Sequence, residues 1–433
     1  MSRLLYSLLF YLAMPLVWLR LFWRARRQPE YLQQLGERHG FYASRPPRPL
    51  LWLHAVSVGE TRAAAPLIDS LLRAYPRHNV LLTHMTPTGR ATGQELVVRH
   101  PGRLTQAYLP YDLPDACGRF LDHFQPELGL LMETEVWPNL IEAARRRKLP
   151  MALINARLSE RSQRGYARLP SLIGPALASL SAVVAQTAAD AERLQRIGAR
   201  QVKVCGNLKF DVTPAPAMLQ QGSRWRQALA ARPVWLAAST REGEEALILD
   251  ALTELDIPDL LLLLVPRHPQ RFAEVAELIG HRRLAFCRRS REELPNRNTQ
   301  VWLGDSMGEM VAYYALADLA LIGGTLLPFG GQNLIEAAAC GCPVLLGPHC
   351  FNFAEASADA IACGAARAVP DAGAAALAAR DLLLHPQALL AMRTAAATFS
   401  QAHRGATART MALIEQLLVK VASTTHETHP SCQ

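Results

Sequence analysis

The sequence contains no C-x-x-C pair and little charge: its eight cysteines are scattered over 433 residues, and only 19% of the residues are charged. Such cysteines give neither a disulfide framework nor a paired metal-binding spacing, so we expect reduced cytoplasmic thiols. Cys340 and Cys342 lie in an apolar passage from a helix to a strand without a matching pair, which favours packing over metal ligation. Half of the residues are apolar, which excludes a solvated, disordered chain.

The length exceeds the size at which one hydrophobic core keeps growing, so we expect two α/β domains. The formal net charge of +9 would suit nucleic acid, an anionic lipid surface or an acidic substrate. Composition alone does not choose among these three partners.

An uncharged apolar run stands at the amino terminus, from Leu4 to Leu19. Four arginines follow it: Arg20, Arg24, Arg26 and Arg27. This order is typical of a membrane segment whose basic flank stays in the cytoplasm, so we expect residues 1–23 to anchor the chain at the inner face of the membrane. A cleaved signal peptide is disfavoured, because the basic cluster follows the apolar run and no small-residue cleavage site is present. The run is short and contains Pro15, which leaves open a spanning helix and a helix lying in the interface.

From Pro49 onward, short β-rich runs alternate with helical stretches, as in βα units with parallel sheets. A first set of strands is predicted at 50–56, 80–84, 107–111, 128–132, 151–155, 182–186 and 202–206. A second set is predicted at 234–238, 260–266, 284–287, 301–303, 319–322, 343–346 and 366–369. These patterns indicate five segments: the anchor at 1–23, a domain at 24–210, a linker at 211–225, a second domain at 226–423 and a frayed tail at 424–433. The last helices are expected to cap the second domain, or their end is expected to cross back to the first domain. The carboxyl ends of the strands would face a cleft between the domains.

Residues 323–336 carry paired glycines after a buried strand and further glycines, Gly330 and Gly331, before a helix. Glycines let a phosphate approach backbone N–H groups at the positive end of a helix, so this segment predicts a nucleotide-phosphate cradle. Asn333 and Glu336 also have the spacing of a capping box, in which Glu336 would only hold the helix start.

Three other strand ends of the second domain carry groups suited to an anion: Ser239, Thr240 and Arg241; Arg267 and His268; and Gly304, Asp305 and Ser306. Arginine offers a permanent charge and a planar donor fork for phosphate or carboxylate. The three ends together therefore predict a binding surface. Ser306 with Glu309 also fits a capping box, for a helix starting near Met307.

In the first domain, a strand passes into a helix through Ser57, Gly59 and Glu60. Ser57 and Glu60 fit a capping box, and substrate binding by Glu60 is an equal alternative. Glu133 and Glu135 end another buried strand, where unpaired carboxylates would be costly to desolvate. We therefore expect these two carboxylates to bind substrate.

Glu37 lies between the apolar segment and the first strand, in the sequence Leu35-Gly36-Glu37-Arg38-His39-Gly40. A glutamate there could remove a proton from an acceptor hydroxyl, although the spacing alone fits a surface residue as well.

The motifs GERHGFY, HAVSVGE, METEVWPNL, NARLS, GNLKFD, STREGEE, VPRHPQRF, GDSMGEM and GGTLLPFGGQNLIEAAACGCPV follow one another over nearly the whole chain. In this combination the sequence resembles the Kdo transferases of glycosyltransferase family 30. These enzymes attach 3-deoxy-D-manno-oct-2-ulosonic acid (Kdo) to the lipid A precursor of Gram-negative bacteria.

The resemblance implies a GT-B fold, an α/β fold with two Rossmann-like domains facing a central cleft. It implies CMP-Kdo as the donor, lipid IVA as the acceptor, inversion at the anomeric carbon and no metal or other cofactor. Glu37 would be the general base. The donor would be bound by Ser239, Thr240, Arg241, Arg267, His268, Gly304, Ser306, Gly330, Gly331, Asn333 and Glu336. The acceptor or the sugar would be bound by Ser57, Gly59, Glu60, Glu133 and Glu135.

The partners implied are the donor, the lipid and the inner membrane, with no nucleic acid and no obligate protein partner. Two alternatives remain at this point. One is a UDP-sugar transferase or a non-hydrolysing epimerase of similar architecture, and the other is a non-enzymatic basic protein that binds the membrane surface.

Overall fold

The structure is a computed structural model that describes residues 2–26, 28–211, 213–255 and 257–427, with only the backbone described at 421–427. Arg27, the last arginine after the apolar run, lies outside the described residues. The chain divides into two compact units. Unit 1 comprises Met1–Asp211 and Arg404–Gln433, and unit 2 comprises Val212–His403.

Unit 1 is built on seven parallel strands: β1 (Leu50–His54), β2 (Asn79–His84), β3 (Leu104–Tyr108), β4 (Leu128–Met132), β5 (Met151–Ala156), β6 (Ala182–Ala185) and β7 (Val202–Val204). Its helices up to Asp211 are α1 (Arg3–Ala25), α2 (Val58–Ala74), α3 (Pro87–Arg99), α4 (Pro114–Phe124), α5 (Pro138–Arg146), α6 (Glu160–Tyr166), α7 (Pro170–Ala178) and α8 (Ala188–Arg196). The central strands are apolar runs buried along their whole length, as expected when helices cover both faces of a parallel sheet.

The strand order of unit 1 is β3-β2-β1-β4-β5-β6-β7. Strand β1 pairs with β2 on one side and with β4 on the other, so the connections change direction between β1 and β4. Open α/β sheets bind ligands outside the carboxyl ends of the strands at such a switch point. The sheet therefore puts the segments after His54 and after Met132 next to each other.

Unit 2 has the same architecture, with strands β8 (Val234–Thr240), β9 (Leu261–Pro266), β10 (Phe286–Arg288), β11 (Val301–Leu303), β12 (Leu319–Ile322), β13 (Val344–Leu346) and β14 (Ala366–Ala368). Its helices are α9 (Pro216–Ala228), α10 (Glu244–Thr253), α11 (Phe272–His281), α12 (Met310–Leu316), α13 (Leu334–Ala339), α14 (Ala354–Ala362), α15 (Ala372–Leu384) and α16 (Pro386–His403). The order β10-β11-β9-β8-β12-β13-β14 puts the switch point between β8 and β12.

The last helix, α17 (Ala406–Glu427), belongs to unit 1. Its Leu413, Ile414 and Leu417 are buried in the core that also contains the apolar face of α2. The Asp211 carboxylate accepts hydrogen bonds from the backbone N–H groups of Gly405, at 2.6 Å, and of Thr407. The chain therefore leaves unit 1 and returns to it beside one carboxylate.

The predicted domain boundaries need two corrections. The predicted linker at 211–225 is largely helix α9, which is part of unit 2, and the predicted second domain at 226–423 ends at His403. The physical reason is that α17 has an apolar face, which unit 1 buries. The helix continues through 424–427 of the predicted tail, and the rest of that tail lies outside the described residues.

Helix α1 contains the apolar run and is long and apolar enough to cross a membrane. Phe10, Met14 and Val17 pack against a small buried cluster of unit 1. The other side exposes leucines: Leu4, Leu8, Leu12, Leu16 and Leu19. One face of the helix thus packs against unit 1, and the opposite apolar face is exposed. This exposed face is weak support for membrane association.

The predicted α/β fold with two Rossmann-like domains is confirmed, since each of the fourteen predicted strands overlaps a strand of the structure. The predicted cleft between the two domains stays a prediction.

Candidate active site

The switch point of unit 1 brings together four of the predicted residues. Ser57 is the N-cap of α2 and accepts a hydrogen bond from the Glu60 N–H at 3.4 Å. The Glu60 carboxylate bonds the residues just before the helix. Oε1 accepts from Ser57 Oγ at 3.0 Å, and Oε2 accepts from the Val56 N–H at 2.9 Å. The capping box predicted from the spacing is therefore confirmed. Glu133 and Glu135 lie close enough to influence the charge of Glu60.

The Glu60 carboxyl is the most strongly perturbed acid of this group. Burial, together with the charges of Glu133 and Glu135, raises its pKa to about 7, against the hydrogen bonds from Val56 and Ser57, which lower it. A carboxylate with this pKa can take up a proton near neutral pH, which is what general base catalysis requires. The capping role and a chemical role are thus compatible in one side chain.

Glu133 and Glu135 have separate partners at the end of β4. Lys209 Nζ donates to Glu133 Oε1 at 3.1 Å, and Trp137 Nε1 donates to Glu135 Oε2 at 2.8 Å. Burial and the charge of Glu133 raise the pKa of Glu135. Glu133 has a backbone φ of 56°, the left-handed region that non-glycine residues rarely adopt. Strain of this kind at a strand end is typical of functional sites.

Two further residues of this cluster were not predicted as site residues. Lys209 lies in the short 3₁₀ helix Leu208–Asp211 that follows β7, and its place in the GNLKFD motif was the available signal. His54, at the end of β1, is fully buried, and its Nε2 has no hydrogen-bond partner and lies 3.9 Å from Glu135 Oε2. Burial lowers the pKa of His54 to about 3, so its ring is neutral.

Glu37 contacts a different part of unit 1. It lies in the short 3₁₀ helix Glu37–His39, and its Oε2 accepts from Arg90 Nη1 at 2.6 Å and from the Tyr108 N–H at 2.7 Å. Arg90 is on α3, and Tyr108 ends β3, at the edge of the sheet. Glu60 bonds Ser57 and Val56, so Glu37 and Glu60 have different hydrogen-bond partners.

In unit 2, the switch point joins the segment after β8 to the segment after β12. Arg241 follows β8, and its guanidinium lies 4.7 Å from the centre of the Phe329 ring. A Cβ atom on Gly323 would lie 2.3 Å from the Ser239 carbonyl oxygen, so only glycine permits this approach. The sequence predicted both segments, and the structure puts them in contact.

Four backbone N–H groups of the glycine-rich segment are bonded within the protein. Gly324 and Leu326 donate to the Glu244 carboxylate, at 2.6 and 3.0 Å. Gly331 and Gln332 donate to the carbonyls of Gly324 and Gly323, at 2.7 and 3.0 Å. These bonds set the shape of the loop, and its role as a phosphate cradle stays a prediction.

The predicted helix after the glycines is α13, which has only six residues. Asn333 is its N-cap and accepts from the Ile335 N–H at 3.0 Å, and its Nδ2 donates to Glu336 Oε1 at 3.2 Å. The structure confirms Asn333 as the helix cap. The Glu336 carboxylate accepts from the Asn333 side chain. Gly330 and Gly331 both have positive φ angles, 91° and 82°.

Basic side chains gather at the ends of β8 and β9. Burial lowers the pKa of His268, and the charges of Arg241, Arg267 and Arg271 lower it further. The charges of all three arginines therefore disfavour the protonated form of one imidazole, although Arg271 also pairs with Glu245 and Glu274. Arg267 and His268 were predicted as donor-binding residues, whereas Arg271 was missed.

At the third predicted strand end, after β11, the polar side chains bond other residues of unit 2. The Asp305 carboxylate accepts from Arg288 Nε at 2.7 Å and from the Ser290 N–H at 2.7 Å. Ser306 bonds Glu309 and the Tyr313 hydroxyl. The helix begins at Met310 and not near Met307, so Ser306 is not its N-cap. At Gly304, a Cβ atom would lie 2.7 Å from Val265, which explains the glycine by packing.

Among the residues that the structure describes, no group of three or more His, Cys, Asp or Glu side chains could hold a metal ion. Burial raises the pKa of Cys340 to about 12 and also raises that of Cys342. Metal binding needs the thiolate, so the protonated form favours packing for both residues.

Comparison with known proteins identifies the family. The family described as 3-deoxy-D-manno-octulosonic-acid transferase (kdotransferase) matches residues 33–212. A 3-deoxy-D-manno-octulosonic acid transferase of Bordetella pertussis is 48% identical over 431 residues, 96% of this chain and 100% of the relative. One of Haemophilus influenzae is 40% identical over 369 residues, 82% of this chain and 84% of the relative. A glycosyltransferase structure from Rickettsia africae has a TM-score of 0.58 and 14% identity, covering 87% of this chain and 99% of that chain, which shows a shared fold. The chain therefore belongs to the family of 3-deoxy-D-manno-octulosonic acid transferases.

Proposed function

We propose that this protein transfers Kdo from CMP-Kdo onto lipid IVA, with inversion and without a metal, in the biosynthesis of the lipopolysaccharide core. The observation that carries the proposal is the division of charge between the two switch points. Carboxylates gather at that of unit 1, and arginines gather at that of unit 2. Relatives of the family are named for the transfer of the same sugar acid, 3-deoxy-D-manno-octulosonic acid.

In this proposal the arginines of unit 2 bind the donor. Transfer breaks the bond between the anomeric carbon of Kdo and the phosphate oxygen of CMP, and CMP leaves with the bonding electrons. Arg241 and Arg267 stabilise the charge that grows on this phosphate, as fixed cations in a preorganised site do. The nucleotide also contacts Ser239, Thr240, His268, Gly304, Ser306 and the segment with Gly330, Gly331, Asn333 and Glu336.

The acceptor hydroxyl supplies the new bond to the anomeric carbon and must lose its proton to a base. Two carboxylates are candidates. Family resemblance points to Glu37, and the structure adds Glu60. Hydrogen bonds engage both: Oε2 of Glu37 accepts from Arg90 and from the Tyr108 N–H, and the Glu60 carboxylate accepts from Ser57 and from the Val56 N–H. We propose Glu37 as the base and Glu60, whose pKa is raised to about 7, as the alternative, with Glu133 and Glu135 binding the substrate.

The acceptor is a lipid, so the protein is expected to work at the cytoplasmic face of the inner membrane. The exposed leucine face of α1 and the arginines after it support this placement, because apolar side chains enter the lipid and cations meet anionic headgroups.

Product mass spectrometry tests the proposal. Membranes carrying the protein are incubated with CMP-Kdo and lipid IVA in the presence of a chelator, and we expect a mass increase of whole Kdo residues. No increase would refute the transfer. Competition between CMP and UDP for the protein separates the remaining enzyme classes, since a clear preference for UDP would favour a UDP-sugar enzyme.

A further inference from the structure

Glu244 is a buried carboxylate at the start of α10 whose role the proposed transfer does not explain. Its exposed fraction is 0%, and burial of an ionised group is costly unless hydrogen bonds compensate it. Three backbone N–H groups donate to it. Those of Arg241 and Gly324 bond Oε2 at 2.8 and 2.6 Å, and that of Leu326 bonds Oε1 at 3.0 Å.

These three amides come from both sides of the switch point of unit 2. Arg241 follows β8, whereas Gly324 and Leu326 follow β12. The Glu244 N–H also donates to the Arg241 carbonyl at 3.0 Å, so the turn from Arg241 to Glu244 is closed by two bonds. One side chain therefore sets the distance between the backbone of Arg241 and the glycine-rich loop.

The two segments touch where this carboxylate joins them. A Cβ atom on Gly324 would lie 3.5 Å from Arg241 Cγ, and the Arg241 guanidinium stands over the Phe329 ring. The aliphatic part of Arg241 thus lies against the loop whose start Glu244 holds. A shift of the loop would change the direction of the guanidinium.

We propose that Glu244 is a positioning residue for the nucleotide: it fixes Arg241 relative to the glycine-rich loop and so sets the affinity for the cytidine phosphate, without contacting the donor. Its carboxylate makes three hydrogen bonds inside the protein and is inaccessible, so it does not bind ligand itself. The proposal rests on the assignment of the donor to unit 2.

Glu244→Gln tests it. A glutamine keeps the size, but its NH₂ group cannot accept and would face one of the three N–H groups. We expect the Kd of CMP and the KM of CMP-Kdo to rise about tenfold, the scale of one charge-assisted hydrogen bond lost, with kcat and the KM of the lipid within about threefold. Glu242→Gln is the matched control, because Glu242 lies in the same turn and is exposed. Its CMP affinity is expected to match the wild type.

A role in folding alone would lower the melting temperature and leave the Kd of CMP unchanged for the folded protein, which would overturn the proposal. In an Arg241→Ala background, Glu244→Gln is expected to have a smaller effect than in the wild type, because the residues act together. An equal effect would also overturn it. If Glu244→Gln does not fold, Glu244→Asp, which keeps the charge but has a shorter reach, is measured by the same criterion.

The same series separates this inference from the donor assignment. If Arg241→Ala binds CMP like the wild type, the donor assignment itself is wrong. If Arg241→Ala weakens CMP binding and Glu244→Gln does not, only the role of Glu244 fails.

Discussion

Arg90 donates from Nη1 to Oε2 of Glu37 over 2.6 Å, and thereby ties the segment after α1 to helix α3. The same oxygen accepts the Tyr108 N–H, and the guanidinium groups of Arg38 and Arg90 lie 4.1 and 4.7 Å from the centre of the Tyr108 ring. Glu37 is therefore part of a compact arrangement of charged groups around the end of β3.

Glu37→Gln is expected to lower kcat by about 10²- to 10⁴-fold, the usual contribution of a general base, because glutamine cannot take up the proton. Loss of a charge-assisted bond between partly buried groups should also cost about 1.5–3 kcal/mol of stability. Thermal unfolding and steady-state transfer measure the two effects. A lower melting temperature with little change in kcat would instead make Glu37 a residue that only holds its segment in place.

Glu60→Gln tests the alternative base. If Glu60 takes up the proton, kcat falls by about 10²- to 10⁴-fold, the usual contribution of a general base. The wild-type rate then falls as the pH drops through about 7, because the Glu60 pKa is raised to that value and the protonated carboxyl cannot accept a proton. With Glu37 as the base, we expect a smaller loss. The pH dependence of kcat/KM provides the measurement, and an acid limb that Glu60→Gln lacks would favour Glu60.

Glu192→Gln is the control for Glu60→Gln, since Glu192 is an exposed residue paired with Arg196 on the surface of unit 1. It should keep the wild-type rate and acid limb. An acid limb that persists in Glu60→Gln would show that another group titrates.

Arg241→Ala and Arg267→Ala should each raise the KM of CMP-Kdo by about ten- to a hundredfold, because each removes a fixed cation from the phosphate. The KM of the lipid should change little. Arg291→Ala, at an exposed position of the same unit, tests whether the loss of any positive charge suffices. Equal effects in all three variants would argue against a defined phosphate site.

Gly323→Ala should destabilise unit 2 by about 1–3 kcal/mol, because the new Cβ would lie 2.3 Å from the Ser239 carbonyl oxygen. Gly280→Ala in helix α11 is the control, as its Cβ would meet no atom within 4 Å. Denaturant unfolding followed by tryptophan fluorescence compares them. Equal stability of both variants would mean that the two segments are not in contact in solution.

The double change Leu12→Glu and Leu16→Glu should move the protein from the membrane fraction to the soluble fraction. Each leucine is 68% exposed, and a carboxylate within the lipid costs about 2.5–3.5 kcal/mol. Leu377→Glu with Leu390→Glu, two exposed leucines of unit 2, should leave the distribution unchanged. Fractionation and immunoblotting decide, and a protein that stays in the membrane fraction would contradict the role of the leucine face.

The alternation of apolar strands and helices was enough to predict the α/β fold and to place fourteen strands, because a buried parallel strand is a short apolar run. The capping box of Ser57 and Glu60 was also predictable, since both residues lie within one helical turn. For the last helices the sequence left open a cap on the second domain and a return to the first, because an apolar helix face does not reveal which core it covers; the structure shows that α17 returns to unit 1.

By itself, the sequence determined the strands, the local caps and the positions of acidic and basic residues at strand ends, because these depend on neighbours within a few residues. Only the tertiary structure decided which groups pair with these charged side chains. The bonds of Arg90 to Glu37, of Lys209 to Glu133 and of Gly324 to Glu244 join residues 53, 76 and 80 positions apart. Such pairs form only where sheet order brings distant loops together, and they decide which carboxylate is held by a cation and which by backbone N–H groups.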